Sequence, residues 1–188
     1  MNFLKRLADG IDVANDWIGR SFAWLTLCMV LVEFGVVMSR YVFGLGSTLV
    51  QESIVYMHAT VFLVCAGYAL VHNGHVRCDI FYSVMSRKTK ALVDVVCTLA
   101  FLLPMCVLIW WTAWPYVAAS WEILEGSKEG RLGIPAVYLL KSLILVFAAL
   151  LAVQAVSLII QSMLVLLGVT TSRGRVDGAP EGGEEIAA

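Results

Sequence analysis

The sequence predicts an all-α integral membrane protein with four long transmembrane helices and an N-terminal amphipathic interfacial helix. Of its 188 residues, 60% are hydrophobic and only 14% are charged, whereas soluble domains carry roughly 25% charged residues. A chain of this length cannot bury so much apolar surface by folding on itself, and its mean hydropathy of +0.85 favours lipid. Four apolar segments each exceed the roughly 18 residues that mark a transmembrane candidate. The predicted spans are residues 17–43, 50–72, 91–119 and 135–168.

Residues 1–16 precede the predicted four-helix domain, which covers residues 17–172. Leu4, Leu7 and Ile11 recur at steps of three and four, while the charged residues of this segment fall on other faces. That pattern indicates an amphipathic helix lying on the membrane surface. At the other end of the chain, residues 173–188 are rich in glycine and acid and have little to bury. We therefore predict a disordered tail there.

The third and fourth spans are longer than a perpendicular crossing requires, so we expect them to tilt or to project past the bilayer. Pro104 and Pro115 lie inside the third span. Each removes a backbone donor and can kink the helix. Aromatic residues gather toward the end of this span, as in the belts found at membrane–water interfaces. They are Trp110, Trp111, Trp114, Tyr116 and Trp121.

The distribution of Lys and Arg predicts how the spans are oriented. With four crossings, both termini and the central connection share one side of the membrane. Nine of the 13 basic residues lie on that side, which places both termini in the cytoplasm by the positive-inside rule. The nine are Lys5, Arg6, Arg20, Arg77, Arg87, Lys88, Lys90, Arg173 and Arg175, and the other four are Arg40, Lys128, Arg131 and Lys141.

Glu33 and His58 are the polar residues of most interest inside the predicted spans. An acid in an apolar run is expensive and is a functional candidate, so one interpretation of Glu33 is a proton or cation site in a small stand-alone proton-coupled transporter. The other is a bundle-facing acid that pairs with a polar side chain or a partner subunit. His58 is expected to form an interhelical hydrogen bond. It is the only histidine well inside a span, which argues against a haem-bearing anchor, because that needs axial ligands from facing helices.

Two turns carry the remaining candidates. Arg40 and Glu52 flank the first external turn and are predicted to pair with each other, to bind lipid headgroups or to anchor a partner protein. His75, Arg77 and Asp79 follow the second span and are predicted to order a cytoplasmic turn. There is no phosphate loop, no nucleophile with a partner base and no basic aromatic patch. We therefore expect no enzymatic activity, no cofactor or metal, and no nucleic-acid partner.

Several short motifs resemble a known family. The first span ends in Ser39-Arg40-Tyr41-Val42-Phe43-Gly44, and Gln51-Glu52 opens the second. His75-Val76-Arg77-Cys78-Asp79 follows the second span, and Glu125-Gly126-Ser127 and Leu132-Gly133-Ile134-Pro135 lie between the third and fourth. Over about residues 1–168 the chain resembles the DctQ-type small membrane subunit of tripartite ATP-independent periplasmic (TRAP) transporters. It departs from the family pattern at Gln51, where the first acid of a pair is usual, and at Cys78, where an aliphatic residue is usual.

The resemblance implies a division of labour among three proteins in a bacterial inner membrane and its periplasm. A periplasmic solute-binding protein would capture an organic anion, often a carboxylate. A large membrane subunit would carry sodium and substrate. The small subunit, surrounded by membrane lipids, would pack on the static part of the large one as a scaffold.

Overall fold

The computed structural model describes residues 2–72, Gly74 and residues 85–169, and these form helices and turns without a strand. Four helical stretches are long and apolar enough to cross a membrane, which confirms the predicted fold class. The helices are α1 (Asn2–Phe43), α2 (Thr48–Val64), α3 (Ala66–Val71), α4 (Arg87–Cys97), α5 (Leu103–Glu122) and α6 (Val137–Leu166). A π turn at Thr98–Leu102 joins α4 to α5.

The N-terminal segment is continuous with the first span, and this differs from the separate surface helix that the sequence predicted. α1 has 42 residues, which corresponds to a length of about 63 Å. No proline interrupts it, and its amphipathic first part packs along α6 instead of along the membrane surface. Ala8 is fully buried and Asn15 is 3% exposed. The face that α6 covers is not the predicted apolar one, since Leu4 and Leu7 remain 45% and 44% exposed. It is the face with Ala8, Asp12 and Asn15, which form hydrogen bonds with residues of α6.

The second and third spans are each built from two segments. α2 and α3 are separated at Cys65, and together they run from Thr48 to Val71. In the third span, the Leu103 N–H donates to the Thr98 carbonyl, one residue beyond the usual helical partner. This wide turn directly precedes Pro104, whose ring would otherwise crowd a carbonyl of the preceding turn. Pro115, in contrast, lies inside α5 without dividing it.

The last helix, α6, is the centre of the arrangement. It packs against α1, α2 and α3 on one side and against α4 and α5 on the other. In its most apolar stretch 33% of the residues are buried, compared with none in the most apolar stretch of α1. The apolar core joins it to α3 and α5 through Leu70, Cys106, Leu151 and Leu158. Much of the outward surface of α1 and α5 is consequently open to lipid or to another protein.

The helices alternate in direction, so the molecule has two distinct ends. We call the end with the 44–47 turn and the 123–136 loop the loop end, and the opposite one the terminal end. At the loop end, Leu124 adopts a left-handed conformation (φ 45°) as α5 ends. The Glu125 N–H then donates to the Ser120 carbonyl at 3.0 Å, and the Glu125 carbonyl accepts from the Val137 N–H at 3.0 Å. Glu125 therefore links the end of α5 to the start of α6.

Candidate functional site

Glu52 binds the 123–136 loop at the loop end. Its carboxylate accepts a hydrogen bond from the Ser127 hydroxyl and another from the Ile134 N–H at 2.7 Å. Gly133 is buried beside them, and a Cβ added there would lie 2.2 Å from Ser127 Oγ and 2.7 Å from Glu52 Oε2. Only glycine therefore lets the loop approach this carboxylate so closely. We call Glu52, Ser127, Gly133 and Ile134 the Glu52 cluster.

A second acid, Glu125, holds the same loop to α5 and α6. Its carboxylate accepts from Lys141 Nζ and from the Ser120 hydroxyl at 2.7 Å. These donors, Lys141 first, hold the pKa of Glu125 below its usual value. The Lys141 ammonium also lies 4.0 Å from the centroid of the Tyr116 ring, a distance suited to a cation–π contact. The loop is thus held by hydrogen bonds to the second, third and fourth spans.

Arg40 and Glu52 do not pair with each other, although the sequence left that alternative open. Within the described part of the chain, both Glu52 oxygens are occupied by the loop. Arg40 Nη2 instead lies 3.5 Å from Gln51 Oε1, at an exposed position. The proposed anchoring role of the two residues stays a prediction. The geometry makes Arg40 the better candidate, since Glu52 is engaged inside its own chain.

The terminal end holds a polar cluster that the sequence interpretation missed. Asp12 on α1 accepts from three side chains of α6: Ser157 at 2.6 Å, Gln161 at 2.5 Å and Gln154 at 2.8 Å. Asn15 Nδ2 donates to Gln154 Oε1 at 2.6 Å. The three α6 residues are at most 3% exposed. We call these five residues the Asp12 cluster, and it is the main polar contact between α1 and α6.

A signal for this cluster does exist in the sequence. Gln154, Ser157 and Gln161 recur at steps of three and four inside an otherwise apolar helix, and polar residues at one stripe of a membrane helix usually face another helix. The partner, Asp12, lies 142 residues from Gln154. It looked like one of several acids on the solvent face of an amphipathic segment, so sequence alone did not join the two.

Two glycines allow α1 to pack closely on the α2–α3 span. A Cβ added at Gly19 would lie 2.3 Å from Tyr68 Cβ, and one added at Gly67 would lie 2.8 Å from Asn15 Oδ1. Small residues serve this purpose widely in membrane helices. Next to them, Asp16 accepts from His72 at 2.7 Å and from Arg20 at 2.8 Å.

Glu33 and His58 lie on the outer surface of the four-helix unit. Both side chains are exposed, and neither forms a hydrogen bond or an ion pair within the described part of the chain. The ring of His58 stacks on Phe62 with a centroid distance of 6.3 Å. The structure therefore does not place Glu33 in the bundle interior, and it does not use His58 to join two of its own helices.

His75, Arg77 and Asp79, the predicted cytoplasmic turn, lie outside the described residues, as does the predicted tail over residues 173–188. Among residues 2–72, 74 and 85–169, no three His, Cys, Asp or Glu side chains converge in a way that could hold a metal ion.

The fully buried residues between the two clusters are apolar, and the Tyr56 hydroxyl, which is buried without a partner among the described residues, belongs to a residue one turn from Glu52. From Ser142 near the loop end to Gln154 near the terminal end, α6 carries only apolar side chains, a distance of about 18 Å. The buried residues of the neighbouring spans at this depth include Val64, Cys106 and Ala113. The described interior therefore offers no continuous polar route from one end to the other.

The comparison with protein families agrees with this architecture. The family model for the DctQ component of tripartite ATP-independent periplasmic transporters matches residues 29–164, which include the last part of α1, from residue 29 onward, and nearly all of α6. No match was found among curated proteins or among solved structures. The matched range covers well over half of the 188 residues. The chain therefore belongs to the DctQ family and is the small, multi-pass membrane subunit of a TRAP transporter.

Proposed function

We propose that this subunit is a stationary scaffold for the large membrane subunit of a sodium-coupled TRAP importer of organic anions. In this proposal, a periplasmic solute-binding protein delivers the anion, which is most simply a carboxylate. The large subunit carries sodium and substrate through the bacterial inner membrane. The small subunit gives the moving part of its partner a fixed body to move against.

The observation that carries the scaffold role is the apolar interior between the Glu52 and Asp12 clusters. A carboxylate substrate or a sodium ion would need polar partners throughout its passage, because unpaired charge in an apolar medium is strongly unfavourable. The clusters at the two ends instead bind the spans of this chain to one another. Two open depressions on the surface, with volumes of about 360 and 320 Å³, are lined mainly by apolar side chains.

The rival proposal, a stand-alone proton-coupled transporter that uses Glu33, gains no support from the geometry. An exchange site must be reached from each side of the membrane in turn, but Glu33 lies on the outward surface of α1 among exposed apolar residues. Val30 and Phe34, for example, are 56% and 65% exposed.

Reconstitution tests the proposal directly. Liposomes are prepared with this chain alone, with the large subunit alone and with both, and a sodium gradient and the loaded solute-binding protein are added. We expect substrate uptake only in liposomes that contain both membrane subunits. Uptake by this chain alone would overturn the scaffold proposal, and so would uptake by the large subunit alone at the rate of the pair. Replacing sodium by potassium in the same liposomes tests the coupling ion.

A further inference from the structure

The contact between Arg40 and Gln51 sets the register between α1 and α2 near the loop end. When two residues of packed antiparallel helices lie side by side, the residue seven positions earlier in the first helix and the residue seven positions later in the second also lie side by side, on the same side of the helix pair. From Arg40 and Gln51 that step leads to Glu33 and His58. The two ionisable side chains therefore lie on one side of the α1–α2 pair, about 10 Å deeper than Arg40.

A second, independent contact supports this placement. Gly19 lies directly against Tyr68 nearer the terminal end. Glu33 lies 14 residues after Gly19, and the residue 14 positions before Tyr68 is Ile54. This second contact therefore places Ile54 at the level of Glu33, and Ile54 is one helical turn from His58. The two contacts thus bracket the depth of Glu33 between Ile54 and His58.

The surface around the two residues is open and otherwise apolar. The outer polar pair is Arg40 and Gln51, and the deeper one is Glu33 and His58. Val37 on α1 and Val55 on α2 lie between these two levels and are 42% and 55% exposed. Beside them are Phe34 and Phe62, which are 65% and 72% exposed. We call the surface formed by these four apolar residues and by Glu33, Arg40, Gln51 and His58 the α1–α2 face.

A carboxylate on such a face is not suited to contact lipid tails. Acids inside membrane spans are expensive unless they face protein or water, and they pair with other polar groups. Glu33 is too far below the level of Arg40 to reach it, and within the described residues it has no partner of its own. The chemistry of the face therefore calls for a donor from outside this chain.

We propose that the α1–α2 face is the surface on which a transmembrane helix of the large subunit docks. This inference rests on the proposed function. The docked helix presents a hydrogen-bond donor or a cation at the depth of Glu33 and His58. About two turns farther out it presents an acceptor to Arg40, whose guanidinium is exposed. Valine and phenylalanine side chains between these levels pack against the apolar part of the same helix.

The other large open surface fits lipid better. α5 exposes Val107 and Trp111, which are 64% and 79% exposed, and its sequence from Leu103 to Ala119 contains no charged residue. Nothing there requires a polar partner at the middle of the membrane. The charge pattern thus selects the α1–α2 face over the α5 surface.

Photo-crosslinking in the assembled complex tests the docking surface. A p-benzoyl-phenylalanine is placed at Val37 or Val55, and as matched controls at Val107 or Trp111, while the large subunit is co-expressed. We expect crosslinks to the large subunit from positions 37 and 55, at least fivefold stronger than from 107 and 111. Stronger crosslinks from positions 107 and 111 would overturn the inference, and so would crosslinks from 37 and 55 that join two copies of this chain.

A paired substitution tests the polar contact itself. The double variant Glu33→Leu with His58→Leu is expected to reduce the yield of co-purified large subunit at least tenfold. Thr112→Leu, which removes an exposed polar group from α5, should leave that yield within twofold of the wild type. Circular dichroism of each isolated variant shows whether its helices are intact. A folded double variant that assembles like the wild type contradicts the inference.

These outcomes can be told apart from failure of the proposed function. If the unmodified chain does not co-purify with the large subunit, the scaffold proposal fails together with the docking surface. If it co-purifies but crosslinks only from α5, the scaffold proposal stands and the α1–α2 face is the wrong surface.

Discussion

Gly133 is the residue at which the loop end is most tightly packed. A methyl group there would overlap both Ser127 Oγ and Glu52 Oε2. We predict that Gly133→Ala destabilises the protein by about 1–3 kcal/mol, the usual cost of overpacking a tight site. This corresponds to a fall of several degrees in Tm for a chain of this size. Thermal unfolding in detergent, followed by tryptophan fluorescence, measures the change.

Gly46 offers a matched control for this prediction. It also lies in a connection at the loop end, but a Cβ added there meets nothing within 4 Å. Gly46→Ala should therefore leave the Tm within about one degree of the wild type, since surface changes of this kind have small effects. Equal Tm values for the two variants would contradict the close approach of the loop to Glu52.

Glu125 gives a prediction about pH. Its pKa is lowered from 4.5 in the folded protein, chiefly by the hydrogen bond from Lys141. A lowered pKa means that the unfolded chain binds the proton more readily, so the pairing stabilises the fold above about pH 4.5 and is lost as the pH falls through the folded-state pKa. We expect the Tm of the wild type to fall more steeply below pH 4.5 than that of Glu125→Gln.

The control for the pH experiment is Glu129→Gln in the same loop, because Glu129 is exposed. This variant should follow the wild-type pH profile, since other carboxylates titrate equally in both proteins. Identical profiles for Glu125→Gln and the wild type would show that the Lys141 contact contributes nothing to stability.

At the scale of the helices, the Asp12 cluster is the principal polar link between α1 and α6. Asp12→Ala would leave the buried Gln154 and Gln161 amides without this acceptor, while the Ser157 hydroxyl could still donate to the Ala8 carbonyl. Each orphaned donor costs about 1–3 kcal/mol. We predict a clear loss of thermal stability and faster proteolysis of the first part of α1, measured by limited digestion in detergent.

Asp12→Asn is the informative companion variant. The new amide keeps one acceptor oxygen but turns a donor toward Gln161. In the wild type, Gln161 Oε1 is buried and has no partner among the described residues, so rotating the Gln161 amide would let this oxygen accept from the new donor. We therefore expect a much smaller loss than for Asp12→Ala. If Asp12→Asn lost as much thermal stability as Asp12→Ala, the negative charge of Asp12 would matter more than the number of its hydrogen bonds.

The helices themselves could be predicted from the sequence, because long apolar runs leave few alternatives in a chain this short. The continuity of α1 could not, since the charged residues of its first part indicated a helix on the membrane surface, whereas one of them, Asp12, binds α6. The Glu52 cluster was visible only as separate family-like motifs. Its geometry joins Glu52 to Ile134, 82 residues later, and no local pattern specifies such a contact.

For the whole molecule, the central position of α6 explains how few charges suffice to hold it together. α6 contacts every other span and is bound near its two ends, by Glu125 through Lys141 and by Asp12 through three side chains. Between these levels, close packing of apolar side chains holds the spans. A body that is fixed at both ends, and whose described residues form no internal polar route, suits a stationary part better than a moving carrier.

The orientation of the molecule is the last prediction, and it follows from the distribution of charge along the whole chain. Nine basic residues lie on the side of the termini and four on the other, so the termini should face the cytoplasm. Green fluorescent protein fused after Ala188 should fluoresce, whereas alkaline phosphatase fused there should be inactive. Phosphatase inserted after Gly130, in the loop at the opposite end, should be active. The reverse pattern would place the Glu52 cluster in the cytoplasm, on the side away from the solute-binding protein.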